Sequence, residues 1–186
     1  MRVVGGRLGG RRLRAVPGRD TRPTSDRVRE ALFGVLGERV EGAKVLDLFA
    51  GTGALGIEAV SRGASSAVLV EQAAPAVAVI RANLDALDLN DTVRVRRTRA
   101  ETYLRTQRDG PFDLVLLDPP YGSGLAAPAL TALADAGWVA PGALVVVESG
   151  PRDVFEAPPG FTPVDQRRYG KAMLRFLVAT VPGEVA

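Results

Sequence analysis

The sequence predicts an α/β fold, a doubly wound and mostly parallel seven-stranded sheet with an antiparallel hairpin at its C-terminal edge. Short apolar runs alternate with segments of helical spacing along most of the chain, which is typical of parallel strands joined by right-handed crossovers. A glycine-rich turn at 50–56 follows the first run, an arrangement that brings a ligand to a helix N-terminus. The tight turn Arg167-Arg168-Tyr169-Gly170-Lys171 joins the last two runs, which therefore form the hairpin.

The individual elements follow from the local pattern, in chain order. We predict one helix before the first strand, at 25–39, and three between strands, at 53–62, 75–86 and 125–137. Residues 100–107 form a turn whose type the pattern leaves open. The strands are expected at 44–49, 67–71, 93–97, 112–117, 143–148, 162–168 and 172–179. Residues 21–186 make up one domain, and residues 1–20 form a basic N-terminal extension.

The composition excludes several kinds of chemistry. The 186 residues include neither cysteine nor histidine, so disulfides, a thiolate nucleophile and an imidazole base are all excluded. We expect no metal site for the same reason. The apolar runs are shorter than a membrane span, and the N-terminus lacks the apolar core of a signal peptide, so we expect a cytoplasmic protein without membrane contact.

Positive charge is concentrated at the N-terminus. Residues 1–30 contain nine arginines and three acidic residues, whereas the net charge of the whole chain is only +3. Val3-Val4, the turn Gly9-Gly10 and Leu13 with Val16 predict a short β-hairpin. Such a hairpin would present arginines to the phosphates of RNA, and a solvated basic tail is the alternative. The arginines concerned are Arg7, Arg11, Arg12 and Arg14.

Two other basic stretches are more typical of solvated surface. Arginines alternate with Val93, Val95 and Thr98, which indicates one solvent-facing edge of a strand. Tyr169 and Lys171 lie in the turn of the C-terminal hairpin, where a loop with a solvated lysine is favoured over an RNA contact.

The four residues Asp118-Pro119-Pro120-Tyr121 end a buried apolar run at 112–117. Two successive prolines restrict the backbone and remove two N–H donors, so the loop offers a carboxylate, carbonyls that only accept hydrogen bonds, and an aromatic face. These groups suit a planar ligand with an exocyclic amine, such as a nucleobase. An ordinary strand-ending turn is the alternative, because Asp and Pro are common there.

An acidic residue lies inside the first predicted strand, and another ends the second. Asp47 lies directly ahead of the glycine turn, and Glu71 follows about 20 residues further on, where a carboxylate can accept hydrogen bonds from both hydroxyls of a ribose. The spacing Gly51-x-Gly53-x-x-Gly56 also satisfies the fingerprint of an NAD-dependent dehydrogenase. A carboxylate ahead of the glycines, the short chain and the position of the Asp118 loop favour S-adenosylmethionine over NAD.

Three blocks of sequence carry a more specific resemblance. Asp47-Leu48-Phe49-Ala50-Gly51-Thr52-Gly53 resembles the cofactor loop of class I S-adenosylmethionine-dependent methyltransferases. The Asp118 loop resembles the target-amine loop of the amino-methyltransferase branch. The segment from Arg22-Pro23-Thr24 to Ala31-Leu32-Phe33 is similar to the one before the first strand in RsmD-type guanine-N2 methyltransferases of bacterial small-subunit ribosomal RNA. The resemblance covers nearly the whole chain.

This resemblance implies a monomer that transfers a methyl group from S-adenosylmethionine to the 2-amino group of a guanine in 16S rRNA, within a small-subunit particle. The Asp118 carboxylate and the Pro119 carbonyl would orient the target amine, and Tyr121 would stack on the base. Asp47 would lie near the methionine amine and Glu71 on the ribose. The residues expected to bind the cofactor are Asp47, Phe49, Gly51, Gly53, Glu71, Arg22, Thr24 and Ala100.

Four points stay open at this stage. Thr24-Ser25-Asp26 is equally typical of a helix cap and of a cofactor contact. Ala100 follows the third strand, where an adenine contact is usual, but no carboxylate there matches that role. The amine loop by itself does not separate guanine N2 from adenine N6, on RNA or DNA. A non-catalytic RNA-binding module with the same fold is the second class of function.

Overall fold

Within the residues described, seven strands form a single sheet with helices on both faces. The computed structural model describes residues 1–16, 25–134, 137–151, 153 and 156–180. The strands are β1 (Lys44–Asp47), β2 (Ser66–Glu71), β3 (Val93–Arg97), β4 (Phe112–Leu117), β5 (Val139–Ser149), β6 (Phe161–Tyr169) and β7 (Ala172–Ala179). The helices are α1 (Asp26–Leu36), α2 (Ala54–Ser61), α3 (Ala74–Leu87), α4 (Ala100–Thr106) and α5 (Ala126–Ala134), and 3₁₀ turns span Gly6–Leu8 and Gly37–Val40.

The strand order in the sheet is β3-β2-β1-β4-β5-β7-β6. Strands β1 to β5 pair in parallel, whereas β7 is antiparallel to both of its neighbours, β5 and β6. The predicted fold class is therefore confirmed, including the hairpin at the C-terminal edge. Because the chain changes direction across the sheet between β1 and β4, the carboxyl ends of these two strands flank a crevice.

Two elements differ from their predicted form. β5 begins earlier than predicted, at Val139. Its first part was missed because the pairing with β4 shifts register around Pro141-Gly142, which interrupts the regular pattern of apolar residues. The turn predicted at 100–107 is the helix α4. Packing stabilises this helix, since the ring centroids of Tyr103 and Trp138 lie 5.1 Å apart. The Tyr103 hydroxyl also donates a hydrogen bond to Asp109 at 3.0 Å.

Two apolar clusters occupy the two faces of the sheet. One joins the sheet to α1, α2 and α3, through residues such as Phe33, Ile57 and Ile80. The other joins the sheet to α4 and α5, for example through Tyr103 and Leu130. Successive strand residues alternate between the two clusters, as the pleat requires. Among the described helices, none combines the length and the hydropathy needed to cross a membrane.

β3 forms one edge of the sheet, which confirms the interpretation of its alternating arginines. Arg94 and Arg97 are exposed, and Arg96 forms an ion pair with Asp109 at 3.1 Å. The opposite edge is β6, whose residues from Thr162–Arg168 are all exposed.

The first sixteen residues fold back on themselves and pack against α2 and α3. One isolated antiparallel bridge joins Arg2 to Arg12, and no strand forms within residues 1–16. The predicted N-terminal hairpin is therefore reduced to this bridge and three backbone hydrogen bonds beside it, from Val3 N to Arg11 O at 2.9 Å, from Gly10 N to Val3 O at 2.9 Å and from Leu13 N to Met1 O at 3.1 Å. The pairing does not extend past Val3, where the N–H groups of Val4 and Gly5 donate to a side chain of α2.

That side chain is Glu58, which is fully buried. Its two carboxylate oxygens accept hydrogen bonds from Val4 N at 2.7 Å and Gly5 N at 2.8 Å. Glu58 Oε1 also accepts from Arg62 Nε at 2.8 Å, so the buried charge has a cationic partner. Val3 is buried in the core cluster of α1, α2 and α3. The N-terminal segment is thus packed as part of this layer, and the domain boundary predicted at residue 20 lies outside the described residues.

We expect Glu58→Ala to lower the free energy of unfolding by about 3 kcal/mol, because it removes the acceptor for two backbone N–H groups and leaves Arg62 without its partner. Urea unfolding measures this change, and trypsin should cleave after Arg7 sooner than in the wild type. Glu101→Ala, at an exposed position of α4, is the matched control, with an expected change within about 0.5 kcal/mol. Equal losses in the two variants would contradict the assignment of Glu58 as the attachment point of the segment.

Candidate functional site

The carboxyl ends of β1, β2, β4 and β5 lie at one edge of the sheet. Asp47 ends β1, Glu71 ends β2, and Asp118 directly follows β4. β1 pairs with both β2 and β4, so the structure brings these three predicted residues to the same edge. Ligands of open α/β sheets bind outside the carboxyl ends of the strands at such a switch point. This edge is therefore the candidate site.

Asp47 is fully buried at the end of β1. Its Oδ2 accepts a hydrogen bond from Gly56 N at 3.3 Å, whereas Oδ1 has no hydrogen-bond partner among the described residues. Burial raises the pKa of Asp47 to about 7; the backbone N–H groups of Gly56 and Phe49 oppose this shift, and the negative charge of Glu71 adds to it. A buried oxygen without a partner is costly in free energy. The position suits a ligand that brings its own donor or positive charge.

The glycine turn holds the backbone close to this carboxylate. Gly53 precedes α2 in a left-handed conformation, with φ 79°. A Cβ on Gly56 would lie 2.1 Å from Leu69 Cδ2, so only glycine lets α2 approach β2 this closely. Around Gly51, which has φ 55°, a Cβ would meet no atom within 4 Å, so the turn faces open space on that side. That space is adjacent to the site and leaves room for a ligand.

Glu71 binds the glycine turn from the end of β2. Its Oε2 accepts a hydrogen bond from Gly51 N at 3.0 Å, and Oε1 accepts from Ala73 N at 2.7 Å. The side chain is half-buried. Its contact with ribose hydroxyls stays a prediction, and the carboxylate has this second task of holding the turn in place.

The loop after β4 combines a half-buried Asp118, a buried Pro119 and an exposed Tyr121. The Tyr121 hydroxyl donates a hydrogen bond to Glu148 Oε1 at 2.7 Å. Burial of this hydroxyl raises the pKa of Tyr121 above its usual range, and the hydrogen bond and charge of Glu148 raise it further. The negative charges of Asp118 and Asp153 add to the same shift.

Sequence reasoning missed Glu148. The residue lies near the end of β5 and is 7% exposed, although its side chain is charged. One signal was available, because an apolar run that ends in a carboxylate at the carboxyl edge is the same pattern that identified Glu71. The register of β5 against β4, which sets its distance from the loop, is not readable from that pattern.

The remaining predicted cofactor residues are distributed as follows. Phe49 is half-buried just after β1, and Ala100 is the buried first residue of α4. Arg22 and Thr24 lie outside the described residues. Ser25 is the N-cap of α1, and its hydroxyl accepts a hydrogen bond from Val28 N at 3.3 Å, so the helix-cap interpretation holds at Ser25.

The four predicted RNA-binding arginines do not share one surface position. Arg7 lies in the 3₁₀ turn beside the C-terminal end of α2, where Leu8 N donates to Ser61 Oγ at 3.0 Å. α2 starts at the glycine turn and ends at the opposite edge of the sheet, so Arg7 is remote from the candidate site. Arg11 donates through Nη2 to Ala86 O of α3 at 3.1 Å.

Arg14, in contrast, is connected to the glycine turn. The buried Asn83 accepts a hydrogen bond from Arg14 N at 2.8 Å through Oδ1. Asn83 Nδ2 donates to Arg14 O at 3.3 Å and to Thr52 O at 3.2 Å. One side chain thus joins the N-terminal segment to the turn that faces the candidate site, and sequence reasoning did not identify it.

The groups at this edge are carboxylates that accept hydrogen bonds, backbone N–H groups that donate them, and an aromatic ring. An unpartnered buried carboxylate oxygen of Asp47 and the open side of Gly51 fit a ligand with a cationic group and hydroxyls. Among the described residues, no group of three or more acidic side chains is placed to hold a metal ion.

Comparison with known proteins agrees with this geometry. The family model described as conserved hypothetical protein 95 matches residues 1–178. Ribosomal RNA small subunit methyltransferase D of Escherichia coli strain K12 is 40% identical over 149 residues, 80% of this chain and 74% of that protein. The protein of the same name from Haemophilus influenzae is 32% identical over 172 residues, 91% of this chain and 89% of that protein. The solved structure of yhhF from Escherichia coli has a TM-score of 0.87 and 35% identity, and the match covers 97% of this chain and 98% of that one.

Proposed function

This chain belongs to the conserved hypothetical protein 95 family, of RsmD type, and on that premise we propose that it methylates small-subunit ribosomal RNA. The reaction is transfer of a methyl group from S-adenosylmethionine to the 2-amino group of a guanine in 16S rRNA, by a cytoplasmic monomer acting on a small-subunit particle. The observation that carries the proposal is the convergence of Asp47, Glu71 and the Asp118 loop at one edge of the sheet. Guanine N2 as the target rests on the sequence of the segment around α1.

The chain offers a matching position for each part of the cofactor. S-adenosylmethionine, when bound, supplies a methyl group on a positively charged sulfur. Asp47 would hold the methionine amino group with its unpartnered oxygen, and Glu71 would accept hydrogen bonds from the ribose hydroxyls. The remaining contacts would come from the backbone of Gly51 and Gly53, from Phe49 and Ala100 near the adenine, and from Arg22 and Thr24 at the methionine end.

The target loop would orient the acceptor amine. The lone pair of a guanine 2-amino group is delocalised into the ring, so this nitrogen is a weak nucleophile. Hydrogen bonds to the Asp118 carboxylate and the Pro119 carbonyl draw the nitrogen toward tetrahedral geometry and direct its lone pair away from the ring. Positioning and electrostatics of this kind supply several kcal/mol of rate acceleration. Asp118 can also accept the proton that the nitrogen loses once it is methylated.

Tyr121 provides the binding surface for the base. Its ring is 51% exposed at the carboxyl edge, and stacking of a base on such a ring contributes about 1–3 kcal/mol. A base within a duplex cannot reach this position, so the target guanine must be flipped out or already unpaired.

Three other functions were open from the sequence. An adenine-N6 methyltransferase would use the same amine loop, and the names of the RNA-modifying relatives favour ribosomal RNA over DNA as the substrate. A non-catalytic RNA-binding module would not need Asp47, Glu71 and Asp118 together, and the chain keeps all three. An NAD-dependent dehydrogenase is disfavoured by the carboxylate of Asp47 ahead of the glycine turn.

The experiment that tests the proposal uses tritiated S-adenosylmethionine and small-subunit particles that lack guanine-N2 methylation. After incubation the RNA is digested to nucleosides, and label is expected in N2-methylguanosine. Label in N6-methyladenosine would keep the mechanism and change the target base. Cofactor binding without any transfer would favour the binding module, and absence of cofactor binding would overturn the proposal.

The exposed arginines of the N-terminal segment allow a separate prediction about RNA binding. We expect the double substitution Arg12→Ala with Arg14→Ala to weaken rRNA binding and to make the plot of log affinity against log salt shallower by about 1.5, because each lost phosphate contact removes roughly 0.7–0.9 from the slope. Filter binding at several salt concentrations measures this slope. Arg39→Ala with Arg105→Ala removes the same charge from exposed positions near the opposite edge and is the matched control. Equal slopes in both double variants would mean that the N-terminal arginines are only solvated.

A further inference from the structure

We propose that Glu148 is a positioning residue for methyl transfer, which holds the Tyr121 ring in the orientation that receives the target base. The inference rests on the function proposed above and adds to it a residue outside the Asp118 loop. It is carried by the hydrogen bond of 2.7 Å between the Tyr121 hydroxyl and Glu148 Oε1.

The register of the sheet places Glu148 beside the target loop. β4 and β5 pair in parallel, with Leu116 opposite Val146 and Leu117 opposite Val147. The next position on β5 is Glu148, and the next position on the β4 side is Asp118. Glu148 is therefore level with the first residue of the loop, on the neighbouring strand.

The backbone of Glu148 is held more firmly than the loop. β5 pairs with β4 on one side and with β7 on the other, where Glu148 is opposite Leu174 and Ser149 is opposite Met173. Arg175, on β7, donates hydrogen bonds to the Ser149 hydroxyl and, through Nη2, to Asp153 O at 3.2 Å. A side chain on this central strand is thus a fixed reference point, against which an exposed loop residue can be oriented.

The burial of Glu148 indicates that the hydrogen bond persists. The residue is 7% exposed, and a buried carboxylate is costly unless its oxygens accept hydrogen bonds. The Tyr121 hydroxyl supplies such a bond at 2.7 Å, an ordinary distance for an O–H···O hydrogen bond. Release of the tyrosine would deprive the carboxylate of this donor, so the tethered orientation is favoured.

The hydrogen bond to Glu148 affects only the hydroxyl end of Tyr121. Its hydroxyl is engaged by Glu148, while the side chain as a whole remains 51% exposed, so a ring face stays accessible to a base. Fixing the hydroxyl restricts both side-chain torsions. A ring that is already oriented loses less conformational freedom when a base stacks on it, which favours binding and productive alignment.

A double-mutant cycle tests this inference on the full-length protein. Tyr121→Phe and Glu148→Ala should each lower kcat/KM for methylation of small-subunit particles by about tenfold, and the double variant should be no worse than either single variant. The lower kcat/KM should result mainly from a higher KM for the RNA. Affinity for S-adenosylmethionine, measured by calorimetry, should stay within about twofold of the wild type.

Conservative variants separate positioning from a general structural role. Glu148→Gln keeps an acceptor oxygen for the tyrosine hydroxyl and should retain most of the activity. Glu148→Met keeps the volume but lacks that acceptor, so it should behave like Glu148→Ala and also serves if the alanine variant does not fold. Glu101→Ala, at an exposed position of α4, is the matched control and should have the wild-type kcat/KM.

The results of these experiments distinguish failure of the positioning role from failure of the proposed function. Additive losses in the cycle, or full activity of both Glu148→Ala and Glu148→Met, would overturn the positioning role while leaving the proposed function intact. If wild-type protein that binds S-adenosylmethionine transfers no label to ribosomal RNA, the proposed function fails and this inference fails with it. Non-additive losses with rescue by Glu148→Gln would support it.

Discussion

Asp118→Ala is expected to abolish methyl transfer to ribosomal RNA and to leave S-adenosylmethionine affinity within about twofold of the wild type. The substitution removes the carboxylate that accepts a hydrogen bond from the target amine and can take up its proton. Loss of a positioned acid–base group costs about 10²–10⁴ in rate. Transfer of tritium to small-subunit particles measures the loss, and calorimetry measures cofactor affinity.

The chain offers a matched control on the same strand. Asp113 is exposed at the other end of β4, where its Oδ2 accepts a hydrogen bond from Lys44 N at 2.8 Å. Asp113→Ala should keep methyl transfer close to the wild-type rate, because that end of the strand is remote from the candidate site. The methyl-transfer rate of Asp118→Asn should fall between those of Asp118→Ala and Asp113→Ala, since asparagine keeps an oxygen acceptor and loses the capacity to take a proton. If Asp118→Ala loses cofactor affinity instead of activity, the loop has been assigned to the wrong ligand.

Asp47→Asn is expected to weaken S-adenosylmethionine binding by about 2–5 kcal/mol, the usual cost of removing one partner of a buried charge pair. The same substitution should stabilise the protein in the absence of cofactor at neutral and alkaline pH. The reason is that Asp47 is buried with one oxygen unpartnered, so its ionised form is unfavourable until a cation binds. Cofactor binding therefore favours an ionised carboxylate at this position, whereas stability without cofactor favours a neutral side chain.

The pH dependence follows from the raised pKa of Asp47, which is about 7 in the folded protein against 3.8 for an ordinary aspartate. Between these two values the folded state binds more protons than the unfolded state, so the free energy of unfolding decreases as pH rises from about 4 to about 7. Asp47→Asn lacks this contribution, so its advantage over the wild type should be small near pH 4 and largest above pH 7.

Urea unfolding of both proteins without cofactor, at about pH 5 and about pH 8, measures this difference. Cofactor affinity of the wild type should rise through about pH 7, because the ionised carboxylate attracts the methionine ammonium group. Asp47→Asn should show no such rise. Wild-type affinity and an unchanged pH profile in the variant would show that Asp47 does not contact the cofactor.

The secondary structure was largely predictable because its signals are local. Short apolar runs marked β2 and β4 within a residue of their observed bounds, and helical spacing did the same for α3. Because strands joined by helices are parallel, the convergence of Asp47, Glu71 and Asp118 at the carboxyl edge also followed from the sequence. The predicted roles of these residues still await the experiments above.

Where prediction failed, the cause was a contact between distant parts of the chain. The predicted N-terminal hairpin is reduced to a short pairing of residues 1–3 with 10–13, and Val4 N beside it donates to Glu58, a residue 54 positions away. No local sequence pattern predicts a hydrogen-bond partner so far along the chain. The form of α4 was left open because its stability depends on packing of Tyr103 against Trp138, which lies beyond β4 in the chain.

The sequence by itself determined the order of the elements, the strand-ending acidic residues and the family, because period, turn chemistry and motif spacing are properties of neighbouring residues. Tertiary structure alone decided which buried polar groups meet. It paired Tyr121 with Glu148, joined Arg14 to the glycine turn through Asn83, and left one oxygen of Asp47 without a hydrogen-bond partner among the described residues. These contacts depend on strand register and helix packing, which are fixed only when the whole core assembles.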